Sequence, residues 1–148
     1  MDEDEARRRF VAARVARLAT VDAEGRPHLV PIVFARHDDV IVTAVDWKPK
    51  TTPHVKRLRN IAVHPSVSLL VDAYDEDWDR LWWVRADGDA RIVPPDEPAV
   101  QDEYATAIAL LREKYAPYRR QPPGGPVIAV TVRRWLGWRG GASPAPGL

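Results

Sequence analysis

The stretch "ARLATVDAEGRPHLVPIVFARHDDVIVTAV", residues 16–45, sets three apolar runs apart by only a few turn-forming residues. Links that short join antiparallel neighbours, because a parallel pair needs a crossover of a dozen or more residues. "DAEGRP" reads as a Gly-containing turn between two strands, and "HDD" as a second turn before a third strand, Val40 to Val45. Pro31 inside the second strand cannot donate to a ladder. It implies an edge, a bulge, or backbone turned towards a ligand.

Further runs extend the pattern. Val67 to Ala73 reads as a fourth strand, leading into the acidic loop "YDEDWD"; "RLWWVRADGDARIV" reads as a fifth, bulged at Gly88; Val127 to Trp138 reads as the last. Helices are expected over residues 3–18, over Val55 to Asn60 and over Glu97 to Tyr115. In the first, acids at the start suit the helix dipole, and Glu3–Arg7, Asp4–Arg8 and Glu5–Arg9 are i,i+4 pairs on a solvated face. "PYRRQPPGGP" reads as a loop. Six mostly antiparallel strands with flanking helices make a mainly β chain, a small barrel closed partly by helices.

At 148 residues the chain fits one domain, expected over 1–138, with 139–148 as a loose tail. No apolar run approaches a membrane-spanning length, and "MDEDEARRR" is unlike a secretory signal. There is no cysteine, which rules out disulfides and thiol chemistry and agrees with a cytoplasmic location. Dinucleotide, nucleotide-triphosphate, serine-hydrolase and zinc-protease signatures are all missing. His28, His37, His54 and His64 lack metal-ligand spacing, and the acids of "DEDWD" lack calcium-loop spacing. A chain without its own nucleophile or metal can still be an enzyme if a cofactor carries the chemistry.

Charge is almost balanced at +1, yet from Asp46 to Asp72 no acid appears, while Lys48, Lys50, Lys56, Arg57 and Arg59 all fall between them. Lys48 and Lys50 follow the third strand, Pro49 stiffens the loop between them, and Thr51 and Thr52 offer hydroxyl donors. The helix after them adds Lys56, Arg57 and free backbone amides. On the residues alone a solvated loop, a small-molecule phosphate site and a nucleic-acid site all stay open. The stretch lacks the interleaved aromatics of a single-strand platform. Of the six tryptophans, the adjacent Trp82 and Trp83 must point to opposite faces of their strand, one into the barrel and one towards a partner subunit or ligand.

These features together resemble a known family. A strand, the turn "EGRP", two more strands and a basic segment leading to "NIAVHPSVSLLV" resemble the pyridoxamine-phosphate-oxidase-like split β-barrel flavoproteins. "KPK" and "DEDWDRLWWVRADGDA" are similar to the actinobacterial branch of F420-dependent oxidoreductases. The resemblance implies a homodimer with two cofactor sites at the subunit interface. It implies coenzyme F420 as cofactor, with FMN as the alternative, and hydride transfer to a small organic acceptor. A cofactor or haem carrier without turnover is the rival in another class. By the same resemblance Val30, Pro31 and Ile32 would lie beside the cofactor ring and Thr43 would face it. Lys48, Lys50, Thr51, Thr52, Lys56 and Arg57 would hold its phosphate and tail. The resemblance implies no side chain as catalytic acid or base, and no metal.

Overall fold

The computed structural model describes residues 1–46 and 55–141. Its elements are α1 (Glu3–Ala12), β1 (Ala16–Val21), β2 (Pro27–Ile32), β3 (Ala35–His37), β4 (Val40–Ala44), α2 (Lys56–Val63), β5 (Ser66–Ala73), β6 (Trp82–Val93), α3 (Gln101–Lys114), α4 (Ala116–Arg120) and β7 (Val127–Arg139). Seven strands form one sheet in the order β2-β1-β5-β6-β7-β4-β3, and every pairing is antiparallel. The two outermost strands are successive pieces of one chain, so the sheet curls until its edges meet at the corner Val33–Phe34. This is a split β-barrel with flanking helices.

The expected count of six strands is one short, because the apolar run after the first turn is not a single strand. It breaks at the buried Phe34, and Ala35–His37 pairs with β4 instead of β1. A buried corner leaves backbone polar groups to satisfy. Thr43 Oγ1 donates to the Val33 carbonyl (2.7 Å), and the Tyr115 hydroxyl accepts from the Phe34 N–H (3.1 Å). The same hydroxyl lies within donating distance of the Phe34 and Arg14 carbonyls (3.0 and 2.9 Å).

The first helix is shorter than expected. α1 runs from an Asp2 cap, whose carboxylate accepts from Glu5 N (2.8 Å), only to Ala12. From Ala16 the side chains alternate in and out, and pairing with both β2 and β5 overrides helical periodicity. Lys114 Nζ caps the helix end, donating to the carbonyls of Val11 (3.2 Å) and Ala13 (2.8 Å). At the other long helix, Pro98–Val100 forms a single 3-10 turn before α3. α3 stops because Pro117 cannot donate back to the helix, and α4 forms where a loop was expected. The freed carbonyls of Arg112 and Glu113 are taken by Arg119 Nη1 (3.0 and 2.9 Å).

Two apolar clusters share the sheet. One fills the barrel, where Phe10 from α1 meets Phe34 and Trp135 at ring distances of 5.0 and 5.3 Å. The other lies under α3, against β3, β4 and the start of β7. Successive residues of β7 therefore serve both: Ile128, Val130 and Val132 face the barrel, Val127 and Ala129 face α3. A strand covered on both sides reads as a continuous apolar run, which "VIAV" is.

The bulge expected at Gly88 is present. Asp87 pairs with Arg134 but Gly88 pairs with Val132, so the extra residue is Arg133 on β7. Gly88 permits it, because a Cβ there would collide with the Thr131 carbonyl oxygen and come within 2.9 Å of Val130 Cγ1.

Candidate functional site

Lys48, Lys50, Thr51 and Thr52 lie outside the described residues. The remaining residues of the expected site fall in different places. Thr43 is buried, and its hydroxyl is engaged at the barrel corner. Val30 and Ile32 face inward with the barrel cluster, and Pro31 faces outward. The reason is the alternation of β2, which sets neighbouring residues on opposite faces. β2 is the edge of the sheet, so the missing N–H of Pro31 costs little there.

The two basic residues at the start of α2 also diverge, as neighbours on a helix must. Lys56 turns to Asp22, Nζ to Oδ2 3.9 Å. Asp22 anchors the β1–β2 turn by accepting from Glu24 N and Arg26 N (both 2.9 Å). The Arg26 backbone bond leads the causes that hold its carboxyl below the usual range, with Lys56 and Arg26 charges adding to it.

Arg57 is half-buried, and its Nε is buried with no hydrogen-bond partner among the described residues. Burial lowers the pKa of its guanidinium, and the neighbouring Tyr118 opposes that shift. The Tyr118 phenol is pushed up, first by burial and then by Asp46 at the end of β4 and by Tyr115. Tyr118 thus feels both Arg57 and Asp46 where β4 hands over to α2. No ion pair to Arg57 exists among the described residues. Among the described residues α2 has no acid in its first turn and no side-chain cap; the Leu58 amide already donates to the Val55 carbonyl (3.1 Å), which leaves the Lys56 and Arg57 amides for an anion. Tyr118 has no spacing signal that would have revealed it, because it reaches this corner only through the α3–α4 break.

A second feature lies on the outer face of the sheet. α3 covers β3, β4, the end of β6 and the start of β7; among the described residues no helix covers the rest of that face, which forms a groove of about 970 Å³. Register lays its side chains out in rungs. One rung is Pro31, Arg17, Leu70, Arg85 and Leu136, and the next is Leu29, Ala19, Ser68, Asp87 and Arg134. Trp83 lines the groove, whereas Trp82 packs on the barrel cluster beneath Arg9. The opposite orientations of the tryptophan pair follow from strand alternation, and the same alternation puts Arg85 on the face of Trp83.

The fold is that of a known class. The pyridoxamine 5'-phosphate oxidase family matches over residues 2–139, and the chain belongs to that family. Among solved structures, a conserved hypothetical protein from Mycobacterium tuberculosis is 23% identical with a TM-score of 0.75, over 100% of this chain and 92% of that one. A FAD-binding protein from Mesorhizobium loti is 20% identical with a TM-score of 0.69, over 93% and 94% of the two chains. The haem storage protein HutZ from Vibrio cholerae is 18% identical with a TM-score of 0.69, over 94% and 95%. No curated protein matches the chain. Identities this low establish the split-barrel fold, which is shared by flavin-binding and haem-binding proteins. No helix among the described residues is long and apolar enough to cross a membrane.

Proposed function

We propose that the chain is an oxidoreductase that uses coenzyme F420, passing hydride between the reduced deazaflavin and a small organic acceptor. The observation that carries this reading is Arg57, a half-buried guanidinium with an orphaned Nε and no counter-ion among the described residues. Burying such a group without an anion is costly, and a phosphate or carboxylate ligand removes the cost. The run from Lys48 to Arg57 has more positive charge than the single phosphate of FMN requires, and F420 carries a glutamate tail besides its phosphate.

Arg57 and the leading amides of α2 would hold the cofactor's anionic part, with Lys48 and Lys50 beside them. A bound deazaflavin supplies hydride transfer. The chain's own task is then to bind and orient, and no side chain is needed as acid or base. Titration of the purified protein with F420 and with FMN at physiological ionic strength tests the assignment. Tighter binding of F420, weakening as salt rises, supports it. Equal or tighter binding of FMN moves the chain to a flavin enzyme of the same fold.

The chain is also proposed to work as a homodimer with the cofactor sites at the interface. The β2–β1–β5 half of the outer face supports this, since Leu29 and Leu70 stand 65% and 38% exposed on it.

A further inference from the structure

The β6–β7 half of the same face differs from the Leu29 half, and the difference comes from the bulge. In a regular strand Arg133 and Arg134 would point to opposite sides of the sheet. The extra residue removes one step of the alternation, so both arginines stand outward between the buried Val132 and Trp135. Bulges commonly re-aim side chains in this way beside functional sites. Together with Arg85, Ser66 and Ser68 the two arginines line a polar hollow of about 380 Å³, contiguous with the apolar groove.

The charges in this hollow do not balance. Arg133 Nε meets Asp89 Oδ2 at 3.0 Å, and Arg85 Nε meets Asp87 Oδ1 at 3.0 Å. Asp87 sits directly across the ladder from Arg134 and could have neutralised it. Its carboxylate is instead turned to Arg85 and to the Ser68 hydroxyl, which donates to it at 2.8 Å. Three guanidiniums against two carboxylates leave one positive charge, and it resides on Arg134, which has no ion pair or hydrogen bond among the described residues. Ser66 Oγ accepts weakly from Arg133 (3.4 Å), which leaves its own proton free to donate. Next to this cation, Leu136, Leu70 and Trp83 offer apolar surface in the groove.

We propose that Arg134, supported by Ser66 and Arg133, is an oxyanion subsite. It takes the carboxylate or phosphate of a small amphipathic molecule whose apolar body lies along Trp83 and Leu136. The site is separate from Arg57 and stands whichever cofactor the chain uses.

The test uses three probes with one apolar body: 1-naphthoate, 1-naphthyl phosphate and the neutral 1-naphthalenemethanol. Binding to the full chain is followed by tryptophan fluorescence or calorimetry. Both anions are expected to bind more tightly than the alcohol, and the tighter of the two identifies the preferred head group. Arg134→Gln should weaken both anions by about fivefold or more and leave the alcohol unchanged. Arg120→Gln, a charge removed from the surface of α4, should change none of the three constants. Unaltered anion binding in Arg134→Gln would overturn the proposal. So would a shift in the monomer–dimer equilibrium of that variant, seen by sedimentation, without any loss of anion affinity. That result would give Arg134 to a carboxylate of a second copy.

Discussion

The Asn60 side-chain amide donates a 3.0 Å hydrogen bond to the Thr20 hydroxyl, and both residues are almost wholly buried. The bond pins α2 to β1, and with it the position of Arg57 one turn earlier in the helix. Thr20→Val keeps the shape but leaves a buried amide without its acceptor. The expected loss is about 1–3 kcal/mol in urea denaturation. An unchanged midpoint would show that the helix is held by its apolar contacts alone.

Tyr115→Phe addresses the barrel corner in the same way. The phenol is the acceptor for the buried Phe34 N–H, so its removal should destabilise the fold by about 1–3 kcal/mol. Amide exchange at Phe34 should accelerate more than at strand residues distant from the corner. Uniform acceleration across the sheet would mean that the corner opens only with global unfolding.

Lys114 gives a pH signature. Burial, aided by the charge of Arg14, lowers its pKa from 10.5 to about 8. Below pH 8 both folded and unfolded chains hold the proton, and the charged amine is at its least favourable for folding. Between about pH 8 and 10.5 the unfolded chain holds more protons, so stability should rise with pH. The buried phenols of Tyr104, Tyr115 and Tyr118, all shifted upward, act in the opposite sense once the unfolded tyrosines ionise near pH 10. Thermal midpoints between pH 7.5 and 9.5 isolate the lysine. Its contribution should vanish in Lys114→Met, and an identical slope in that variant would refute the assignment.

Cofactor affinity separates the roles of the basic residues. Arg57→Ala and Lys50→Ala should each weaken F420 binding by about 1.5–3 kcal/mol through lost charge-assisted contacts. Lys48→Ala should cost less if its ammonium meets only the solvated tail. Fluorescence titration of the three variants decides the matter: parental affinity in all of them would reduce the basic stretch to a solvated surface.

The dimer is checked by charge. Leu29→Glu and Leu70→Glu place carboxylates on bare apolar positions that no core contact depends on. Each should shift the chain towards monomer in sedimentation at micromolar concentration, without lowering the thermal midpoint of the monomer. A parent chain that is already monomeric would remove the shared-site arrangement.

Much of the barrel was legible because its signals are local. Two-residue alternation marks β1, β5 and β6, and "EGRP" marks a turn whose Gly25 has a φ of 82°. Gly88 flagged the bulge, although the extra residue lies on the opposite strand. What stayed hidden depends on contacts distant in sequence. The break between β2 and β3 is stabilised by Tyr115, and the early end of α1 by Lys114. Thr43 illustrates the difference. Its place on β4 was readable, but its hydroxyl is spent on the Val33 carbonyl across the corner. The orphaned charge of Arg134 was equally invisible, since it needs both the bulge register and the choice Asp87 makes between two arginines.

The position of β7 has a consequence for synthesis. In sheet order this strand stands between β6 and β4, although every other strand of the sheet precedes it in the chain. Until it leaves the ribosome the nascent chain holds two separate pieces, β2-β1-β5-β6 and β4-β3, with no ladder joining them. The Tyr115 clasp on Phe34, spanning 81 residues, cannot substitute for that missing strand. A chain that has emerged only as far as Gly125 should therefore be digested readily by protease, and one that has emerged beyond Gly141 should resist. Vectorial translation thus delays closure of the barrel until β7 emerges, and the β3–β4 hairpin has no cover on its outer face until α3 follows it.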